Sequence, residues 1–260
     1  MDFATMMALE QHGIDTWVGA GPKYPWGGLY GGQIVAQALR AAAATVDPAF
    51  GVHSLHAYFI RRGDHDEPIR FEVDRVRNGR SFVTRSVVAR QSVGAIFNLS
   101  ASFQGAEDDG EVQTATLPEM PPPDDLPSDG WSPIFDRRFA PSPGVGQVAA
   151  WLRLGHEIGP DPMLQACGLA YLSDDLPTDA VASLHPAHVV GDQFHQRFFS
   201  ASLDHAIWFH RPFRADVWHV QAFTCQGLMG SRGLSVGYVF TADGDHVATI
   251  SQEVLFRELR

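Results

Sequence analysis

Hydrophobic positions along the chain switch between two periods, and the switches come in the same order twice. In QIVAQALRAAAATV (33–46), Ile34, Ala38 and Ala41 recur with Val35, Leu39 and Ala42 at helical spacing, just after Gly31 and Gly32. The Ala-rich face predicts a slim helix gripped tightly by something else. Four strand-like segments follow: HSLHAYFIR (53–61), IRFEVDRVRNG (69–79), SFVTRSVVARQ (81–91) and AIFNLSASFQ (95–104). Turn signals at Gly63-Asp64, Asn78-Gly79 and Ser92-Val93-Gly94 separate them. Later, MLQACGLAYL (163–172) predicts a second helix. Strands are then predicted in SLDHAIWFHR (202–211), WHVQAFTCQ (218–226), GLSVGYVFTA (233–242) and HVATISQEVLFR (246–257), with Asp243-Gly244 as a hairpin turn.

Residues 105–146 break this pattern. They are rich in Pro and acidic side chains, without sustained periodicity, and read as a linker or long surface excursion. The chain thus divides into an N-terminal domain over 1–104 and a C-terminal domain over 147–260. A shift of 150 places Tyr58-Phe59-Ile60-Arg61 on Trp208-Phe209-His210-Arg211, Gly94 on Gly244 and Phe97 on Val247. One offset joining separated features indicates a duplication. A helix followed by an antiparallel meander, occurring twice, is α+β; nothing alternates in the manner of a doubly wound sheet.

Composition narrows the function classes. With 45% hydrophobic and 19% charged residues among 260, the chain can bury a real core. Its formal charge of −11 argues against a nucleic-acid or anionic-membrane surface. Two cysteines, Cys167 and Cys225, are too few for a disulfide framework and fit a reducing cytoplasm. No apolar run reaches membrane-spanning length, and the first residues have no signal-peptide core.

Several separated motifs, in order, resemble the acyl-CoA thioesterase II family. They are GGLYGGQIVAQAL, HSLHAYFIRRGD and VRNGRSFVTRSVVARQ in the first half, then LAYLSDD, SLDHAIWFHRPF and SQEVLFR in the second. The resemblance covers roughly 25–104 and 163–257. It implies a double hot dog, in which each long helix is wrapped by an antiparallel sheet and the two sheets join. It also implies hydrolysis of acyl-CoA to a free fatty acid and CoA, with no cofactor, no metal and no covalent acyl-enzyme. Assembly into a homo-oligomer is expected on the same ground. By motif, the water-holding group is Asp174, Ser202 and Gln252; Ser202 stands where the family usually has Thr, retaining the hydroxyl and losing a methyl.

The residues themselves fit that chemistry. Thioester hydrolysis needs an activated water and donors for the developing oxyanion. Spacings of four and seven put Met163, Cys167 and Asp174 on one helix face, where a carboxylate among apolar groups suggests a task. The competing reading is that Asp174-Asp175, close to Pro177, simply ends the helix in a polar loop. Strand alternation puts Ser202 on the face of Asp204, Ala206 and Trp208. Gly31, Gly32 and Gln33, opening the first helix, are the candidate oxyanion and substrate-binding donors; a tight glycine turn is the bland alternative. The site would then span both halves.

Other signals are weaker. GLSVG (233–237) matches the GxSxG elbow but lies in a strand pattern without the required turn and helix. His53/His56 and His185/His188 suggest metal only at first sight, since the first pair faces opposite ways on a strand and the second lies in a Pro-containing loop without an obvious third ligand. Cys167, on an apolar helix face, reads as an inert buried thiol. Two rival functions stay open: a hot-dog enoyl-CoA hydratase or dehydratase, and a non-catalytic acyl-CoA-binding protein. The former wants a His-Asp pair in one pocket, whereas Asp204 and His205 are strand neighbours pointing opposite ways.

Overall fold

The structure, a computed structural model, describes residues 1–107, 110–142, 144–187 and 197–259. The first half contains α1 (Phe3–Met7), β1 (Glu10–Gly13), β2 (Thr16–Gly19), α2 (Gly31–Ala43), β3 (Phe50–Phe59), β4 (Ile69–Asn78), β5 (Phe82–Gln91) and β6 (Gly94–Gly105). After a single 3-10 turn at Pro123–Asp125 come β7 (Phe135–Phe139), β8 (Gln147–Leu154), α3 (Pro162–Leu172) and α4 (Pro177–Leu184). The chain closes with β9 (Phe198–Ser202), β10 (Asp204–Phe209), β11 (His219–Met229), β12 (Arg232–Thr241) and β13 (His246–Glu258).

Among the described residues, all thirteen strands join one antiparallel sheet, in the order β1-β2-β4-β5-β6-β3-β10-β13-β12-β11-β8-β7, with β9 also on β13. The order reads the same from either edge once each strand is replaced by its counterpart in the other half. The seam is β3 against β10, with Tyr58 opposite Asp204 and Ser54 opposite Trp208. The offset of 150 holds residue for residue here. β4 and β11 start at 69 and 219, β5 and β12 at 82 and 232, and β3 and β10 end at 59 and 209. This is the expected α+β double hot dog, with the halves fused through a continuous sheet.

Helices α2 and α3 lie against each other over the sheet, running in opposite directions. The start of α2 meets the end of α3, where a Cβ added to Gly32 would sit 2.2 Å from the Tyr171 carbonyl oxygen. Only glycine tolerates so close a backbone approach. At the other end, Arg40 of α2 lies 3.7 Å from Asp161 at the start of α3. Small buried residues, Ala36, Ala38, Ala41 and Ala42, keep α2 slim enough to be enclosed, as its composition predicts. At about 25 cal/mol per Å² of apolar surface removed from water, this shared core is the main force holding the halves together.

The segment 105–146 is more structured than its composition suggests. Phe135–Phe139 forms β7 and pairs with β8, and Ile134 and Phe135 are buried. Leu117, Met120 and Leu126 pack on Trp151, Val220 and Phe240, a small cluster on the other side of the sheet. Arg137 meets Asp175 in a buried ion pair at 2.8 Å. Helix α4 and the β1–β2 hairpin also lie outside the segments singled out by periodicity.

Candidate active site

The three residues expected to hold water converge between the halves. Ser202 Oγ donates to Asp174 Oδ1 at 2.9 Å, and Gln252 Nε2 donates to Ser202 Oγ at 2.9 Å. Asp174 Oδ2 accepts from the backbone N–H of Gly32 at 2.9 Å. Carboxylate, hydroxyl and carboxamide come from the second half and the amide from the first.

Three expectations about local geometry change. Asp174 is not on α3, which ends at Leu172 with Ser173 as its cap. Pro177 restarts the chain as α4, so the helix cannot run on. The turn is nevertheless no polar loop, because Asp174 is only 7% exposed, pressed against the start of α2. Second, SLDHAIWFHR is not one regular strand. Ser202 faces Val254 but Ala206 faces Ser251, so one extra residue sits between β9 and β10. That bulge moves Ser202 off the face of Asp204, Ala206 and Trp208 and onto the inner face of His205 and Ile207. Third, the Gly32 amide, expected to await an oxyanion, is occupied by Asp174. Tyr30, the residue before α2, offers no side-chain cap, so a carboxylate from the other half satisfies the helix start. Gln33 is likewise engaged, its side chain accepting from Tyr24 and donating to Gln37 inside the core. Gly31 lies against the site, where a Cβ would fall 2.5 Å from Asp174 Oδ2 and 2.9 Å from the Phe59 ring.

Burial is the largest influence on Asp174 and pushes its carboxyl up to about 6; the hydrogen bonds from Ser202, Gln252 and Gly32 pull the other way. The group is therefore ionised near neutrality but basic enough to accept a proton. Its neighbour Asp175 accepts from Trp131 Nε1 at 2.7 Å and from Arg137 at 2.8 Å. These contacts fasten the segment between the halves beside the site. Tyr24, Trp26, Tyr30 and Trp131 form a cluster of touching rings around the start of α2.

His205 is the residue that pattern reading passed over. Its Nδ1 bonds Gln252 Oε1 and its Nε2 lies 2.8 Å from Ser173 Oγ. Complete burial lowers its pKa to about 4, so the ring is neutral at pH 7. An Oε1 acceptor requires the proton on Nδ1. His205 thereby orients the carboxamide with Nε2 toward Ser202. The available signal was a histidine three residues from Ser202 in a strand of otherwise apolar inward positions; without the bulge, the two fall on opposite faces.

The remaining sequence signals find ordinary places. Ser235 of GLSVG is buried within β12, with no turn or helix after it. Cys167 is buried, its thiol pushed up to about 12. His53 bonds Ser102 Oγ, while His56 packs edge-on against Trp208. His185 lies against the Phe198 and Phe256 rings, and His188 falls outside the described residues. Asp204 accepts from the Glu253 N–H, away from His205, so the two make no catalytic pair.

The fold is a double hot dog on one continuous sheet, with a buried acid, hydroxyl and carboxamide brought together where its halves meet. Residues 21–104 match the model of the acyl-CoA thioesterase N-terminal domain, and residues 114–256 match that of the C-terminal domain. The chain is 35% identical to human acyl-coenzyme A thioesterase 8, covering 97% of this chain and 88% of that protein. It is 34% identical to acyl-CoA thioesterase 2 of Haemophilus influenzae, covering 88% and 87%. Among solved structures, acyl-CoA thioesterase II TesB2 from Mycobacterium marinum superposes with a TM-score of 0.86 at 38% identity, covering 100% of this chain and 98% of that one. This protein belongs to the acyl-CoA thioesterase II family. Among the described residues, no helix is long and apolar enough to cross a membrane.

Proposed function

We propose that the protein hydrolyses fatty acyl-CoA to fatty acid and CoA, with Asp174, Ser202 and Gln252 holding and activating the attacking water. The observation that carries this reading is the buried Asp174 carboxylate bonded at once to the Ser202 hydroxyl and the Gly32 amide. Water adds to the thioester carbonyl carbon as its proton passes to Asp174. The tetrahedral intermediate then collapses, the C–S bond breaks, and the proton follows the departing thiolate. A base with a pKa near 6 suits this at neutral pH. The Gly32 amide and the positive end of α2 keep the base ionised despite its burial. They act on the base here, which leaves Gln252 Nε2 and the Gly31 amide as the donors facing the developing oxyanion. His205 is a positioning residue, holding the Gln252 carboxamide in the donating orientation.

A homo-oligomer and a cytoplasmic location complete the proposal. Tyr58, Trp208 and Tyr238 are exposed on the sheet's outer side, where a second copy would cover them, and sedimentation velocity tests this. Both cysteines are free and buried, as a reducing compartment allows. The deciding experiment for the activity is thiol release from acyl-CoAs of graded chain length, wild type beside Asp174→Asn. Release by wild type and its loss in the folded variant support the reading; no release at any chain length overturns it.

A further inference from the structure

The pseudo-twofold axis that builds one cleft between the helices must build a second. The first uses the start of α2, the end of α3 and strands β9, β10 and β13. Its mate uses the start of α3, the end of α2 and strands β3 and β6. The correspondence can be followed residue by residue. β3 carries a register shift at Val52–Ser54, where β9 and β10 carry theirs, so Val52 stands in for Ser202 and Leu55 for His205. Ala206 faces Ser251 as His56 faces Ser100, which carries Gln252 onto Ala101. Asp174, two residues beyond α3, corresponds to Thr45, two beyond α2. Val52 and Ala101 bring no polar group where Ser202 and Gln252 stand, and in place of the carboxylate Thr45 has a hydroxyl that accepts from Arg85 Nε at 2.6 Å.

The mate cleft has nonetheless stayed open. A cavity of about 1050 Å³ lies there, between Ala43 at the end of one helix with Ala44 just past it, Met163 and Ala166 on the other helix, and Val52 and Phe209 on the sheet. Phe209 is the counterpart of Phe59, which lies against Gly31 in the first cleft. Such a volume is ample for a drug-sized or chain-like ligand. Its lining mixes apolar side chains with the acidic Asp47, Glu107 and Asp161 and the basic Arg40 and Arg211, and Arg40 lies 3.7 Å from Asp161, longer than a hydrogen bond.

We propose that this second cleft is a non-catalytic binding site for a fatty-acyl chain, its alkyl part among the apolar residues and its free carboxylate at Arg40. The argument rests on the acyl-CoA thioesterase reading, because it takes the two-fold mate of an acyl-binding cleft, without its chemistry, to keep the affinity for the chain. The ligand is then the product class of the protein's own reaction, and binding couples product level to the helix pair that carries the active site.

Calorimetric titration of the full chain with dodecanoate, below its micelle concentration, tests this. Wild type should bind with a stoichiometry one equivalent per chain higher than Ala166→Trp, whose indole fills the cleft. Ala44→Trp, at an exposed position just past α2, should do the same if the first variant folds poorly. Thiol release by both variants should match wild type in kcat at low product. Arg40→Gln should weaken that equivalent about tenfold, the scale of one charge-assisted hydrogen bond. No dodecanoate binding, or a stoichiometry unchanged in the filled variants, overturns the proposal. Loss of thiol release along with the equivalent also overturns it, since the cavity would then be the inner part of the catalytic tunnel. Wild type that binds dodecanoate but cleaves no thioester would instead remove the enzymatic reading.

Discussion

The two long helices begin in opposite ways. α3 caps itself: the Asp161 side chain accepts from its own Met163 N–H at 3.0 Å, with Pro162 at the first helical position. α2 has no such cap, and its Gly32 amide is met by Asp174, 142 residues away in sequence. Both helix starts leave orphan donors, one fewer on α3 because Pro162 has no N–H, and both present the positive dipole end. What separates the two termini is the origin of the carboxylate. A local cap stabilises its own helix and remains largely solvated. A distant one becomes buried where the halves meet, and burial raises its affinity for a proton.

Exchanging the two carboxylates in experiments sharpens this contrast. Asp174→Asn should lower kcat by about 10²–10⁴-fold, the usual worth of a general base, whereas Asp161→Asn should leave kcat alone in the same thiol-release assay. Gly32→Ala puts a methyl 2.2 Å from the Tyr171 carbonyl oxygen, which neither backbone can relieve without moving a helix. It should destabilise by several kcal/mol, while Gly51→Ala, in open space, should not; thermal melts compare them.

The third test uses pH. Raised from 3.8 to about 6, Asp174 is more readily protonated in the folded chain than in the unfolded one. Its contribution to stability is therefore present at low pH and lost as pH rises through about 6. At 1.36 kcal/mol per pKa unit, the ionised group costs the fold up to about 3 kcal/mol near neutrality. Asp174→Asn should thus gain stability relative to wild type between pH 4 and pH 8, the reverse of what removing a stabilising cap would do. Over the same range kcat/KM of wild type should fall about tenfold per unit below pH 6, as the base protonates. His205→Leu should cost about tenfold in kcat with little change in KM, because it frees the Gln252 carboxamide to turn. His205→Asn, which can still donate to Oε1, should restore part of the loss. The smallest effect is Asp161→Ala, about 1 kcal/mol of stability and no activity, the ordinary value of an N-cap.

The elements were largely legible because each half has one buried face. Alternation in SFVTRSVVARQ and the 3.6-residue spacing in α2 follow directly from which side meets the core. Asp174, Ser202 and Gln252 were reachable through the family motifs, and their convergence is geometric. The extra residue at Leu203 was not legible, since a bulge is a matter of register between two strands and leaves no mark on either alone. Its omission placed Ser202 on the wrong face and hid His205. β7 was missed because FDRRF owes its place to partners, pairing with β8 and setting Arg137 against Asp175, more than to any alternation of its own. The role of Gly32 was half seen: a glycine opening a helix signals close approach, but which carboxylate approaches depends on the other half.

The seam of the sheet sets a condition on how the chain is made. β3 is complete at residue 59, yet its partner β10 starts at residue 204. At roughly 5–20 residues per second of synthesis, the β3 edge waits on the order of ten seconds for its neighbour. Once β6 has paired with it, β3 still presents one open edge for the rest of that interval, with Leu55 and Ala57 destined for the core. Neighbouring nascent chains on one messenger carry the same edge, in a geometry suited to antiparallel self-pairing. Rapid translation of the second half, or a chaperone holding the first, would shorten or shield that exposure.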